Sequence, residues 1–304
     1  MSEGAGQRAK WAFDTYEAVR HRLPGVRCFG QPKMISGLLD VADQYDVFLL
    51  DAFGVLNVGE HPIAGAPEQV AELQRSGKHV VVLSNAASYP KRVMSERLAA
   101  LGFKFPLGNL FSSCQLLLEA VQDLRDKRFS VMLPRTFGLE EFGDLQIEFL
   151  EDDASNYSDA DVFLLLGSAE WTDSRQQMLE DALLRRPRQV LVGNPDIVAP
   201  RETGLTKEPG YFAHHLADAT GVVPTFFGKP FGNMFEFALS KIPDGIPRNR
   251  VVMVGDTLHT DILGARAAGI ASVLVTAHGA LKGLEPNVAM DTSAIWPDYI
   301  ANSI

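Results

Sequence analysis

The sequence predicts a doubly wound, parallel α/β fold, and three observations on its 304 residues carry that prediction. Apolar runs at 47–50, 79–83, 130–133, 162–166, 189–192, 225–227, 251–254 and 272–275 alternate with amphipathic stretches at 67–75, 90–101, 112–124, 175–184, 211–219, 233–240 and 261–268. This is the rhythm of repeated βαβ units. Runs such as Val47-Phe48-Leu49-Leu50 are apolar at every residue, as strands covered on both faces must be. Several runs also stop at a polar residue and a tight turn, at the carboxyl edge where open α/β sheets bind ligands.

Taken in order, residues 1–45 read as helix and loop packed on the core, anchored by Trp11, Phe13 and Tyr16. The run at 47–50 delivers a carboxylate into Asp51-Ala52-Phe53-Gly54-Val55. The run at 79–83 ends in Ser84-Asn85, a hydroxyl and successive N–H groups placed to hold an anion at a helix start. By composition alone Ser84 reads equally well as a helix cap. Glu151-Asp152-Asp153 reads as a solvated loop. Further on, Phe226-Phe227-Gly228-Lys229-Pro230 sets an isolated lysine after a strand, where most lysines would be surface residues. The run at 251–254 leads into Gly255-Asp256-Thr257-Leu258-His259-Thr260-Asp261, two carboxylates in one turn, of which Asp261 alone would pass for an N-cap. Four such strand ends in this order point to one shared site around Asp51.

Composition narrows the function. A chain of 304 residues is long for one core, so one large domain or a core with an inserted domain is expected. No apolar run is long enough to cross a bilayer, and the polar start lacks a signal peptide's hydrophobic segment, so a cytoplasmic protein without a membrane partner is expected. Cys28 and Cys114, the only cysteines, are too few for a disulfide framework or a zinc site and read as free buried thiols. A net charge of −10 argues against a nucleic-acid partner. It would also repel a phosphorylated substrate at long range, so a phosphate site must gather its own positive charge.

The segments at Asp51, Ser84, Lys229 and Asp256–Asp261 resemble the four motifs of the haloacid dehalogenase superfamily. Its members are mostly Mg²⁺-dependent phosphatases that work through an aspartyl-phosphate. Leu191-Val192-Gly193-Asn194-Pro195-Asp196 and Pro209-Gly210-Tyr211 resemble class IIA of that superfamily, which contains nitrophenyl-, sugar- and pyridoxal-phosphate phosphatases. The similarity spans residues 45–280 and implies a Rossmann-like core from 1–126 and 223–304, with 1–45 as a helical extension and 127–222 as an inserted α/β cap. Cap-mediated dimers are common in such proteins, although no residue pattern here demonstrates a homodimer.

The resemblance assigns roles residue by residue. Asp51 becomes the nucleophile, a weak one that divides the reaction in two by forming a covalent intermediate. Ser84, the Asn85 N–H and Lys229 become the cradle for the phosphoryl oxygens of a small phosphorylated substrate. Mg²⁺ would be held by Asp51, the backbone carbonyl of Phe53 and Asp256, with Asp261 behind them or binding through water. In the cap, Asn194 and Asp196 point polar groups toward the substrate, although an Asx turn explains Asn194 equally well. Arg201 and Lys207 lie where an anionic substrate tail would pass, but loop residues of these types are usually solvated. His214 and His215 share a helix on which at most one can face inward.

Phe53 departs from the family pattern, which has a second Asp there to protonate the leaving oxygen and then to activate water. Phenylalanine can do neither, and general acid–base catalysis is typically worth about 10²–10⁴-fold. Three outcomes follow: a donor elsewhere, at Glu60, His61 or His259; a preference for good leaving groups such as aryl or acyl phosphates; or a catalytically degenerate fold that binds a phosphorylated ligand as a sensor or regulator. Dehalogenases of the superfamily share an Asp-Ala-aromatic-Gly motif but lack the paired acids found here at Asp256 and Asp261. Phosphonate cleavage would need a cap lysine for a Schiff base, and nothing here singles one out.

Overall fold

In the computed structural model, which describes residues 2–26 and 28–304, the chain opens on helix α1 (Ser2–Ala18) and reaches strands β1 (Lys33–Met34) and β2 (Val47–Leu50). A hairpin of β3 (Asn57–Val58) and β4 (His61–Pro62) precedes α2 (Ala66–Arg75), β5 (His79–Ser84), α3 (Lys91–Ala100), β6 (Leu110–Ser112) and α4 (Ser113–Ala120). The middle of the chain runs β7 (Arg128–Met132), β8 (Gln146–Phe149), α5 (Ser155–Ser158), β9 (Val162–Leu165), α6 (Asp173–Arg185) and β10 (Gln189–Val192). It closes with a second hairpin, β11 (Val198–Arg201) and β12 (Gly204–Lys207), then α7 (Pro209–Thr220) and β13 (Thr225–Phe226). The last part is α8 (Gly232–Leu239), β14 (Val251–Gly255), α9 (Leu263–Ala268), β15 (Ala271–Val275), α10 (Pro286–Ser293) and β16 (Tyr299–Ala301).

Two parallel sheets result. The first has seven strands in the order β1-β16-β15-β14-β2-β5-β6, and the second five, β13-β10-β9-β7-β8. In the first, Leu50 of β2 lies beside Val254 of β14 and Val82 of β5, so the strand that ends at Asp51 is central. Successive residues of that strand face opposite layers. Phe48 and Leu50 pack with Val70 and Leu73 of α2 and Met94 and Leu98 of α3. Val47 and Leu49 pack with Met234 and Phe235 of α8 and Ala265 of α9. Burying side chains of this size is worth about 1.5–3 kcal/mol each, which fixes the strand end from which Asp51 projects. The second sheet is covered on one face by Leu179 and Leu183 of α6 and Leu216 of α7. Its other face rests on Cys114 and Leu117 of α4, a helix of the first unit.

The structure departs from the sequence reading in four places. Thr225–Phe226 pairs with β10 in the second sheet, so that sheet extends past residue 222. The helix expected over 112–124 ends at Ala120 and tightens into a 3₁₀ turn, Val121–Leu124. The stretch expected as helix from Asp261 is preceded by a widened turn over Leu258–Ile262, in which the Ile262 N–H reaches back five residues to the Thr257 carbonyl at 3.3 Å. Finally, Phe13 and Tyr16 are buried as expected, but Trp11 is 39% exposed, with the Tyr211 ring centre and the Lys207 ammonium each 6.0 Å from its ring. The acidic loop is solvated as expected, and its carboxylates pair across it: Glu151 with Arg135 and Asp152 with Arg175. Cys28 and Cys114 are free and buried. Among the described residues no helix is long and apolar enough to cross a membrane.

Candidate active site

A cleft of about 540 Å³ opens between the two sheets, at the carboxyl ends of β2, β5 and β14. Its walls include Asp51, Phe53, Ser84, Asn85, Lys229 and Asp256 from the core, and Asn194, Asp196, Arg201 and Glu208 from the cap side. The four strand ends named from the sequence therefore converge.

Lys229 is the hub. Its Nζ donates to Asp51 Oδ1 at 2.6 Å and to Asp261 Oδ1 at 2.7 Å, with the lysine side chain only 2% exposed. Burial alone would lower the pKa of such an ammonium, but Asp261, Asp51 and Asp196 outweigh it and hold it charged. Asn85 locks this segment in place: its Oδ1 accepts from the Lys229 N–H at 2.7 Å, and its Nδ2 donates to the Lys229 carbonyl and to Asp196 Oδ1, both at 2.8 Å. One amide thus ties the strand end at Ser84, the lysine and a cap carboxyl together. Ser84 is buried and its Oγ accepts from the Ala86 N–H at 3.1 Å.

Asp51, Asp256 and Asp261 each place an oxygen within 4.8 Å of the others. Asp256 accepts from the Ala280 N–H at 2.6 Å and from the Thr257 hydroxyl at 3.0 Å. Glycines on both sides admit it: a Cβ at Gly54, whose φ is +86°, would stand 2.6 Å from its Oδ2, and one at Gly279 only 2.1 Å away. Asp261 has both oxygens engaged, Oδ1 by Lys229 and Oδ2 by the Thr257 N–H at 3.1 Å, which places it behind the lysine. Desolvation, then the charges of Asp261 and Asp51, push the Asp256 carboxyl far above its ordinary range. Asp51 is raised too, first by burial, against the pull of Lys229. One ammonium cannot balance three carboxylates. A buried, all-oxygen donor set with excess negative charge fits a hard divalent cation. The Phe53 carbonyl, with no hydrogen-bond donor among the described residues, faces no competitor for such a role.

Phe53 itself carries the Arg201 guanidinium over its ring, 4.6 Å from the centroid. Arg201 also reaches buried Glu208 at 3.4 Å and forms part of the cleft wall, where the sequence left it open between a solvated residue and one that meets an anionic substrate tail. Glu208 was not foreseen. Burial raises its pKa against Arg201, and it accepts from Thr206 at 2.8 Å and from Asn194 Nδ2 at 3.1 Å. An acid standing immediately before Pro209-Gly210 at a helix start was the available signal. Asn194 lines the cleft, but its Oδ1 accepts from the Asp196 N–H at 3.0 Å, so its amide shapes the turn. Lys207 lies over Tyr211, 4.3 Å from the ring centre.

None of the three alternative proton donors lines the cleft. His259 is fully buried, stacked 5.0 Å from Tyr16 and bonded to Glu17 at 2.5 Å, where it docks α1 on the core. Glu60 is exposed and paired with Arg97, and His61 is exposed on the β3–β4 hairpin. Of the two cap histidines, His214 is buried against Phe226 and His215 is outward, paired with Glu180.

A haloacid dehalogenase-like hydrolase model matches residues 48–142, and a second, HAD-hydrolase-like model matches residues 226–304. Human chronophin is 29% identical over 280 residues, covering 88% of this chain and 94% of that protein. The 4-nitrophenylphosphatase of Schizosaccharomyces pombe is 24% identical over 281 residues, 86% of this chain and 93% of its own. Among solved structures, a possible sugar phosphatase of the HAD superfamily from Cytophaga hutchinsonii shares the fold with a TM-score of 0.78 at 24% identity, covering 90% of this chain and 98% of that one. The two models cover most strands of the first sheet, and β8, β9 and β10 of the second sheet lie between them. With the motif residues meeting in one cleft, the chain belongs to the haloacid dehalogenase-like hydrolases, in class IIA.

Proposed function

We propose that this hydrolase is a Mg²⁺-dependent phosphatase acting on a small phosphorylated metabolite, of sugar-phosphate or aryl-phosphate type, through an aspartyl-phosphate on Asp51. The observation that carries the reading is the contact of Asp51 with Lys229 at 2.6 Å, inside a three-carboxylate cluster at the end of a central strand. Asp51, Asp256 and the Phe53 carbonyl would hold the cation, with Asp261 behind them positioning Lys229. When bound, Mg²⁺ supplies positive charge for the phosphoryl oxygens. Lys229, Ser84 and the N–H groups that follow orient the phosphoryl group so that an Asp51 oxygen attacks phosphorus in line. The bond to the leaving oxygen then breaks. Water afterwards attacks phosphorus, releases phosphate and restores the Asp51 carboxylate.

The proton for the leaving oxygen does not come from residue 53. Among cleft carboxyls outside the cluster, Asp196 stands at the wall with Oδ1 held by Asn85 and Oδ2 without a hydrogen-bond donor among the described residues. Burial, opposed by Lys229 and reinforced by Asp51, raises its pKa well above the ordinary carboxylate range. A carboxyl whose hold on a proton is strengthened beside the reacting group suits proton delivery. Phosphate release from 4-nitrophenyl phosphate should require Mg²⁺ and fall by on the order of 10³-fold or more in Asp51→Asn. Activity that persists in that variant would refute the assignment.

Phe53 favours a second reading, a degenerate phosphatase fold that binds a phosphorylated ligand as a sensor. It predicts thermal stabilisation by ligand with no turnover, even at high enzyme concentration.

A further inference from the structure

A second opening, about 720 Å³, lies on the far side of the β11–β12 hairpin. It shares Pro200 and Arg201 with the active cleft, and Ala280, whose N–H holds Asp256, lines it as well. The two openings thus meet at the Phe53–Arg201 stack. The bay draws Arg8 from α1, Arg201 from the hairpin, and His278 and Lys282 from the loop after β15, against one carboxylate, Glu202. That carboxylate is engaged, accepting from the Glu60 N–H at 2.6 Å.

The concentration of charge needs an explanation. Acidic residues outnumber Lys and Arg by 38 to 28 in this chain, so cations readily find partners. Yet Arg8 and Lys282 take part in none of the ion pairs among the described residues, while both line the same bay. Arg8 also lies tightly against the hairpin turn: at Gly204, whose φ is +130°, a Cβ would stand 3.2 Å from Arg8 Nε. Arg8 and Lys282 are exposed, so water screens their mutual repulsion, and an anion that enters the bay is drawn by both. Guanidinium and ammonium groups bind carboxylate and phosphate through charge-assisted hydrogen bonds.

We infer that the substrate carries a second anionic group, a carboxylate or phosphate, and that Arg8, Arg201 and Lys282 receive it in this bay. The inference rests on the phosphatase reading. It also gives the N-terminal helix a part in substrate selection, since Arg8 comes from outside both sheets.

Non-hydrolysable arylphosphonates test it on the full chain with Mg²⁺. Phenylphosphonate bearing a para carboxamide, a para carboxylate or a second phosphonate would be titrated calorimetrically. The charged probes should bind roughly tenfold more tightly than the carboxamide. The tighter of the two then distinguishes a carboxylate from a phosphate as the distal group. In Arg8→Gln and Lys282→Gln, with unfolding temperatures checked to confirm folding, the ratio of carboxamide to charged-probe Kd should fall toward one. Equal Kd values in the unaltered protein, no binding of any probe, or a preference that survives both substitutions would overturn the bay. The phosphatase reading fails separately, if 4-nitrophenyl phosphate and the aryl phosphate counterparts of these probes are all left intact.

Discussion

The two ends of the cleft are built on different plans. At the phosphate end Asp51, Lys229, Asp256 and Asp261 belong to the core, and most of them are held by several partners. Lys229 is fixed by Asp51, Asp261 and Asn85, and Asp256 by the Ala280 N–H and the Thr257 hydroxyl. At the leaving-group end the contacts are looser and come from the cap: an Arg201 guanidinium over Phe53, and a 3.4 Å approach of Arg201 to Glu208. Rigid placement of charge suits a step common to all substrates. A wall contributed by a separate layer is where substrates are told apart. On the proposed reading the phosphate end carries the parts phosphoryl transfer needs, while the other end presents a ring and a cation.

Placing an acid at residue 53 is the strongest way to break that contrast. Phe53→Asp should raise hydrolysis of sugar phosphates by about 10²–10⁴-fold, the usual worth of general acid–base catalysis. The gain should shrink for 4-nitrophenyl phosphate, whose leaving group departs without a proton. Phosphate release from both substrates reads the difference directly, and equal gains would mean that residue 53 acts on something other than the leaving oxygen. Asp196→Asn probes the other proton source. It should lower turnover of alkyl phosphates by about 10²-fold and that of nitrophenyl phosphate much less. A uniform loss would instead assign Asp196 to holding Asn85 in place.

How much of this was legible in the sequence follows the same division. Asp51, Ser84, Lys229 and Asp256 could be named because each follows an apolar run, and Asp261 because it shares the turn of Asp256; a buried strand leaves its period and its terminal polar residue in plain view. The cap side was not legible in that way. Arg201 sits on a short hairpin with no hydrophobic period, and only the layered arrangement shows that it lies on Phe53 rather than in solvent. His259, one of three alternative donors, lies away from the cleft for a related reason. Its position beside Asp256 suggests catalysis, but the widened turn over Leu258–Ile262 directs it to Tyr16 and Glu17 on α1. Contacts between segments far apart in sequence leave no local pattern to read.

The phosphate end should also announce its cation through pH. Asp256, pushed up to about 8 by burial, Asp261 and Asp51, keeps a proton in the folded metal-free protein that the unfolded chain releases at ordinary carboxylate pH. Above that range the native state binds more protons than the unfolded one, so metal-free stability should fall as pH rises toward 8. Mg²⁺ must displace that proton, so its stabilisation should grow over the same interval. At about a hundredfold excess over Kd it amounts to about 2.7 kcal/mol. Thermal unfolding at pH 5.5 and 8, with chelator and with Mg²⁺, measures both trends, and a Mg²⁺ effect independent of pH would contradict them.

The smallest expected effect is the most specific to the leaving-group end. Phe53→Leu keeps an apolar residue and still supplies no proton, so it leaves the missing acid missing. What it removes is the ring beneath Arg201, an interaction worth about 0.5–1 kcal/mol at a partly exposed site. If Phe53 does no more than fill space, the substitution should leave kcat and KM alone. If the ring aims the guanidinium between cleft and bay, KM should rise by roughly two- to fivefold for aryl phosphates with a second negative charge, with kcat held. Neutral aryl phosphates should move less. Steady-state kinetics on the paired substrates separates a residue that merely fills space from one that fixes where Arg201 points.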